Sequence, residues 1–221
     1  MFPLTPVVVK KTILSLALLA FSGIAAHAQT AATTNDNHFG VKVGGSLTNF
    51  VGSDVSSSSS NKIGFHGGFV ANIALGNRLS VQPELLYSMK GAKDEVSLGG
   101  TTIKATQTLH YIELPILLKA KFNQFFVEAG PQAGVLFDAG FKAEDGSSSA
   151  TESNKDRFNE VLFGYAAGFG YQLESGLMLG LRYNGDFNNV TRGVTANNVK
   201  TQANARNSAF QVYVGYTFGN K

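Results

Sequence analysis

The sequence predicts an all-β fold: an eight-stranded, antiparallel, up-and-down transmembrane β-barrel with short periplasmic turns and long extracellular loops. Three observations carry this. From Phe39 onward hydrophobicity alternates with a period of two, which gives each strand two unlike faces. Eight such segments follow one another, and Asp, Glu, Lys and Arg keep to one face of each. The connections alternate between tight turns and long Ser/Asn/Gly-rich stretches, an asymmetry typical of membrane barrels.

Residues 1–28 stand apart from this pattern. Lys10 and Lys11 begin a leader, residues 12–25 form an apolar run, and Ala26 and Ala28 frame an A-x-A cleavage site, which together describe a secretory signal. The run is short for a spanning helix, which needs about 20 residues. Residues 29–37 read as a polar lead and 38–221 as the barrel domain. Removing the leader takes Lys10 and Lys11 from the 18 basic residues and nothing from the 15 acidic ones. The mature chain is then close to neutral and has no electrostatic footprint for nucleic acid. With no Cys, disulfides, Cys-based metal sites and Cys nucleophiles are excluded.

The eight segments run as follows. Residues 39–47 put Phe39, Val41, Val43 and Leu47 opposite Lys42 and Gly44, and residues 63–75 put Ile63, Phe65, Phe69 and Ile73 opposite His66 and Gly68. Residues 79–90 set Leu79, Val81, Leu85 and Tyr87 against Gln82, Glu84, Ser88 and Lys90. Residues 111–119 set Ile112, Leu114, Ile116 and Leu118 against Tyr111, Glu113, Leu117 and Lys119. Next, Phe125, Val127, Ala133, Val135 and Phe137 oppose Glu128, Gln132, Gly134 and Asp138. The last three place Phe163, Tyr165, Phe169 and Tyr171 opposite glycines, Leu179, Leu181 and Tyr183 opposite Arg182 and Asp186, and Phe210, Val212 and Val214 opposite Gln211 and Tyr213.

Tight turns are expected at 76–78, 122–123 and 174–176, and loops at about 48–62, 91–107, 139–158 and 189–207. An apolar face free of charge suits lipid, and a Gly-rich charged face suits a crowded lumen. Backbone groups in hydrocarbon have no water to bond, so the strands must close, with the last pairing the first. Phe39, Phe125, Tyr171 and Phe218 near the tight turns, and Tyr87, Phe137, Phe163, Phe187 and Phe210 near the loops, form two aromatic girdles. Pro83, Pro115 and Pro131 lack a ladder donor within strands that have no free edge, which predicts bulges or missing bonds.

The segments QPELLYSMKG (82–91), YIELPILLKAKF (111–122), EAGPQAGVLF (128–137) and the closing VYVGYTFG resemble the porin-like, PorT-like outer-membrane β-barrel domain family of Bacteroidota. The resemblance spans essentially the whole mature chain. It implies the barrel fold, the outer membrane as location, and Phe218 as part of a C-terminal signal for the barrel-assembly machinery, here followed by Gly219, Asn220 and Lys221.

An eight-stranded barrel is wide enough inside for side chains or one small ligand. The inward charges are Lys42, Lys90, Lys119 and Arg182 against Glu84, Glu113, Glu128 and Asp186, with His66 beside them. They read as a neutral internal network, the alternative being a narrow porin-like path for ions or small solutes. A lipid-modifying enzyme would need Ser, His and acid in register near one interface. The mature histidines are His38, His66 and His110, and nothing in the spacing joins Ser88 to them, so no catalysis is expected. No metal or phosphate motif is present and no cofactor is expected. A soluble barrel binding an apolar ligand is the remaining alternative. Arg192, Lys200 and Arg206 lie in an acid-free loop suited to lipopolysaccharide phosphates or an acidic partner. The expected role is structural or interaction-based, in a monomer set in outer-membrane lipid, with the loops as contact surface for an extracellular ligand.

Overall fold

The computed structural model describes residues 37–98, 101–144, 149–196 and 199–218. The leader with Ala26 and Ala28, most of the polar lead, and residues 219–221 lie outside them. In chain order the strands are β1 (His38–Val51), β2 (Ser59–Ala74), β3 (Leu79–Leu98), β4 (Thr101–Phe122), β5 (Phe125–Glu144), β6 (Ser149–Ser153), β7 (Val161–Gln172), β8 (Leu177–Asp186), β9 (Val194–Ala196), β10 (Val199–Thr201) and β11 (Arg206–Phe218). Eight of them form a ring of antiparallel pairs: β1, β2, β3, β4, β5, β7, β8, β11 and back to β1. The closing seam runs from Phe39 opposite Phe218 to Val51 opposite Arg206. Closure thus falls where the absence of a tolerable edge in hydrocarbon requires it.

The two faces follow the alternation. Ile63, Phe69, Phe125, Phe169, Leu179 and Phe210 are exposed on the outside, while Lys42, Glu84, Glu113, Glu128 and Arg182 are buried within. At one end the strands join tightly. Phe122 pairs with Phe125 across a two-residue turn in which Asn123 takes φ 57°, a conformation short polar residues tolerate.

Two expectations need correction. Much of what reads as long loop is strand: β3 and β4 remain paired from Gly91 opposite Thr108 to Leu98 opposite Thr101, and β5 continues to Glu144, where β6 joins it. The Thr-rich run TTIKATQT has strand propensity without an apolar face, and the ladder continues through it. Across this ribbon Lys104 Nζ lies 3.8 Å from Glu95 Oε1, both well exposed. Lys104→Ala is therefore expected to shift the unfolding midpoint by less than the equivalent of about 1 kcal/mol.

The second correction concerns Asp138, which is exposed on the outside rather than in the lumen. The register shifts between His110, opposite Asp138, and Tyr111, opposite Leu136. The extra residue on β5 puts Phe137 and Asp138 outside and returns Leu136 and Ala139 to the buried side.

The prolines produce missing bonds, not bulges. Pairing of β2 with β3 lapses between Val70–Glu84 and Ile73–Val81, that of β3 with β4 between Pro83–Ile116 and Leu86–Glu113, and that of β4 with β5 between Pro115–Gln132 and Leu118–Ala129. Register is the same on either side of each gap. The three gaps lie on consecutive strands, so one oblique row of weakened ladder crosses β2 to β5.

The outer mouth is filled from within. Inward Leu109, Tyr111, Leu136 and Leu162 pack with Phe158, Val190 and Ala205 from the connecting segments, and Phe50 and Val55 add to the cluster. Backbone bonds fix this plug: Val190 N donates to Ala205 O at 2.7 Å, Asn159 N to Val190 O at 2.8 Å, and Arg192 N to Arg157 O at 2.8 Å.

Candidate functional site: the lumen and the outer rim

Period-two alternation aims one side chain in two into the lumen, and glycines on neighbouring strands make room for the long ones. Gly168 stands between Glu128 on β5 and Arg182 on β8, so the two side chains meet across a position without Cβ. Tyr213 lies between Gly44 and Gly180 in the same way.

Around Arg182 the polar groups form a continuous network. Its Nη1 and Nη2 donate to Glu84 Oε2 and Oε1 at 2.7 and 2.8 Å, a two-pronged pair. Its Nε and Nη2 donate to Glu128 Oε1 at 2.9 and 2.5 Å. Lys42 Nζ donates to both Glu84 oxygens, at 3.1 and 3.2 Å, and lies 3.9 Å above the Tyr213 ring, whose hydroxyl donates to Glu128 at 2.9 Å. Gln82 Nε2 donates to Glu84 Oε1 at 2.7 Å and Glu128 Oε2 at 3.3 Å.

Lys119 differs from expectation. It pairs in register with Glu128 but donates to Gln82 Oε1 and Gln172 Oε1, at 3.2 and 3.1 Å, and sits 4.0 Å over the Phe126 ring. Two neutral amides therefore carry its bonds in place of a carboxylate.

A second cluster sits toward the outer end. Lys90 Nζ lies 2.5 Å from Glu113 Oε1, Ser88 Oγ donates to Glu113 Oε2 at 2.5 Å, and Gln132 Nε2 donates to Glu113 Oε1 at 2.9 Å. Asp186 accepts from Asn207 Nδ2 at 2.8 Å. His66 is fully buried but neither ring nitrogen has a partner, so it stands apart from both networks. All nine expected lumen residues point inward. The neutral members Gln82, Gln132, Gln172, Asn184 and Tyr213 share their phase, and that phase was the signal that could have identified them as bridging groups.

Of the residues that an enzyme would need, Ser88 stands opposite His66 in the β2–β3 register, but its hydroxyl donates to Glu113 and neither ring nitrogen of His66 has a hydrogen-bond partner. Ser88 faces the lumen, whereas His110 is on the outside, with Nδ1 2.7 Å from the Tyr87 hydroxyl in an aromatic group with Phe65 and Phe137. The three basic loop residues belong to different parts of the chain. Arg192 Nη2 lies 3.6 Å from Glu160, Lys200 belongs to the short β10, and Arg206 begins β11 at the barrel rim. Near Arg206 are Tyr165 and Tyr183, rings 6.1 Å apart, with Ser208 Oγ donating to the Tyr183 hydroxyl at 3.1 Å.

The family profile described as "Outer membrane protein beta-barrel domain" matches residues 27–192. No curated relative matches. Among solved structures, the attachment invasion locus protein Ail of Yersinia pestis, in complex with the heparin analogue sucrose octasulfate, is 12% identical over 82% of this chain and 99% of its own, with TM-score 0.45. Neisserial surface protein A is 16% identical over 81% and 97%, with TM-score 0.43. OprG of Pseudomonas aeruginosa is 12% identical over 83% and 97%, with TM-score 0.41.

Proposed function

The chain belongs to the outer membrane protein beta-barrel domain family, and from that premise we propose that it is a closed, non-catalytic scaffold holding a contact surface outside the cell. Within the family it falls in the porin-like, PorT-like group of Bacteroidota, reaches the membrane through a signal cut after Ala28, and is inserted by the barrel-assembly machinery as a monomer.

The observation that carries the reading is the filled lumen. Two bonded ionic clusters occupy the barrel between the outer plug and an inner group of Phe126, Met178 and Tyr213. Such an interior gives rigidity rather than passage, and leaves the protruding β3–β4 ribbon and the β5–β6 pair as the elements that meet an extracellular ligand. Binding commonly lives on outer segments held by a rigid scaffold.

Planar-bilayer recording tests the closure. The wild-type protein, folded as judged by heat-modifiable gel migration, is expected to give no single-channel steps. Steps that disappear in Glu113→Gln would instead establish the narrow ion path and overturn this reading.

A further inference from the structure

We propose that one flank of the barrel is a docking site for lipid A, the phosphorylated glycolipid anchor of lipopolysaccharide. This rests on the outer-membrane reading, with the long connections outward, and specifies its lipid partner.

The outward face of β11 passes from charge to grease: Arg206, Ser208, Phe210, Val212. Phe210 and Val212 line an apolar groove of about 580 Å³ on the outer wall, with Leu47, Ile63, Phe169 and Leu181. The groove exists because its floor has small residues. Ala167 lies between aromatic neighbours Tyr165 and Phe169 on its face, and a Cβ added at Gly45 would meet nothing within 4 Å. Its aliphatic and aromatic walls suit a hydrocarbon chain.

The outer end of that flank carries the polar half of the site. Arg206 is half-buried, its Nε is buried without a hydrogen-bond partner, and it makes no ion pair among the described residues. The Tyr165 phenol lies within its electrostatic reach, and Tyr183 and Ser208 add hydroxyls close by. An unpaired guanidinium with hydroxyls around it calls for an oxyanion, and phosphate matches its forked donors. Arg206 is four residues along β11 from Phe210, about 13 Å at strand rise, a span that a headgroup and the start of an acyl chain can bridge. Because Arg206 is at the long-connection end, the lipid it meets is that of the outer leaflet, which selects lipid A over a phospholipid.

The test is native mass spectrometry of the full protein released from detergent micelles, with diphosphoryl lipid A, its dephosphorylated counterpart and phosphatidylglycerol as probes. Wild type is expected to retain diphosphoryl lipid A best, with Arg206→Gln and removal of the phosphates each reducing retention about tenfold or more. Gly45→Leu, whose Cβ would enter open space in the groove, should reduce it with Arg206 intact, while Lys93→Gln on the outer ribbon should match wild type. Retention of diphosphoryl lipid A by Arg206→Gln and Gly45→Leu at the wild-type level, or equal retention of phosphatidylglycerol and lipid A by wild type, would overturn the site. Every variant is first checked for heat-modifiable migration. A chain that never shows it contradicts the barrel reading itself, whereas a folded chain indifferent to both substitutions refutes only the lipid site.

Discussion

Replacing Arg182 with Met is expected to lower the stability of the folded barrel by about 3–5 kcal/mol, the cost of stranding buried charge. Arg182 is 2% exposed, and among the described residues its guanidinium is the only cation bonding both Glu84 and Glu128. Without it Glu84 retains Lys42 and Gln82, whereas Glu128 retains only the Tyr213 hydroxyl and one long bond from Gln82. The charge left uncompensated is thus mainly that of Glu128. Adding Glu128→Gln to Arg182→Met should recover part of the loss, although two contacting residues are not expected to add. Urea unfolding in liposomes, followed by the gel shift between folded and unfolded bands, measures both. A single substitution with a midpoint near wild type would mean that water reaches and screens the network, contrary to the closed lumen.

The residues of this network show what alternation makes legible. Period two alone sorts Glu84, Glu128 and Arg182 onto one face, and their charges require that face to be inside if the other is in lipid. It does not show which of them meet. Arg182 reaches Glu84, 98 positions away in sequence, because the ring closes through β11 and β1, and the stagger of a closed barrel is a property of the whole sheet. Lys119 illustrates the same limit, since its in-register neighbour Glu128 is already held by Arg182. Asp138 faces outward because one extra residue reverses every later side chain, and no local signal marks that residue. The outer ribbon reads as loop for a different reason: polar residues with strand propensity look like loop when burial is the criterion. Phe158 and Val190 carry no periodicity at all, so their place in the mouth is decided by tertiary packing.

Gly180→Val is expected to be nearly as damaging as loss of Arg182, about 3–5 kcal/mol, although it removes no interaction directly. A Cβ at Gly180 would stand 2.3 Å from Tyr213 Cζ and 2.5 Å from its hydroxyl oxygen. The ring cannot readily move away. Lys42 lies over it, its hydroxyl is bonded to Glu128, and on the other side Gly44 admits His66 so closely that a Cβ there would meet the imidazole at 2.6 Å. Overpacking of this kind costs about 1–3 kcal/mol. Displacing the phenol from a charged acceptor adds about 1.5–3 kcal/mol. Combining Gly180→Val with Tyr213→Ala separates the two effects, since removing the ring relieves the clash but not the lost bond. The double variant should therefore unfold at higher urea than Gly180→Val alone and lower urea than wild type. Gly45→Leu, one residue from Gly44 but outward, should leave the midpoint close to wild type. Were Gly180→Val to do the same, Tyr213 would have to sit loosely in the lumen, and the role of these glycines as space for the ionic network would fail.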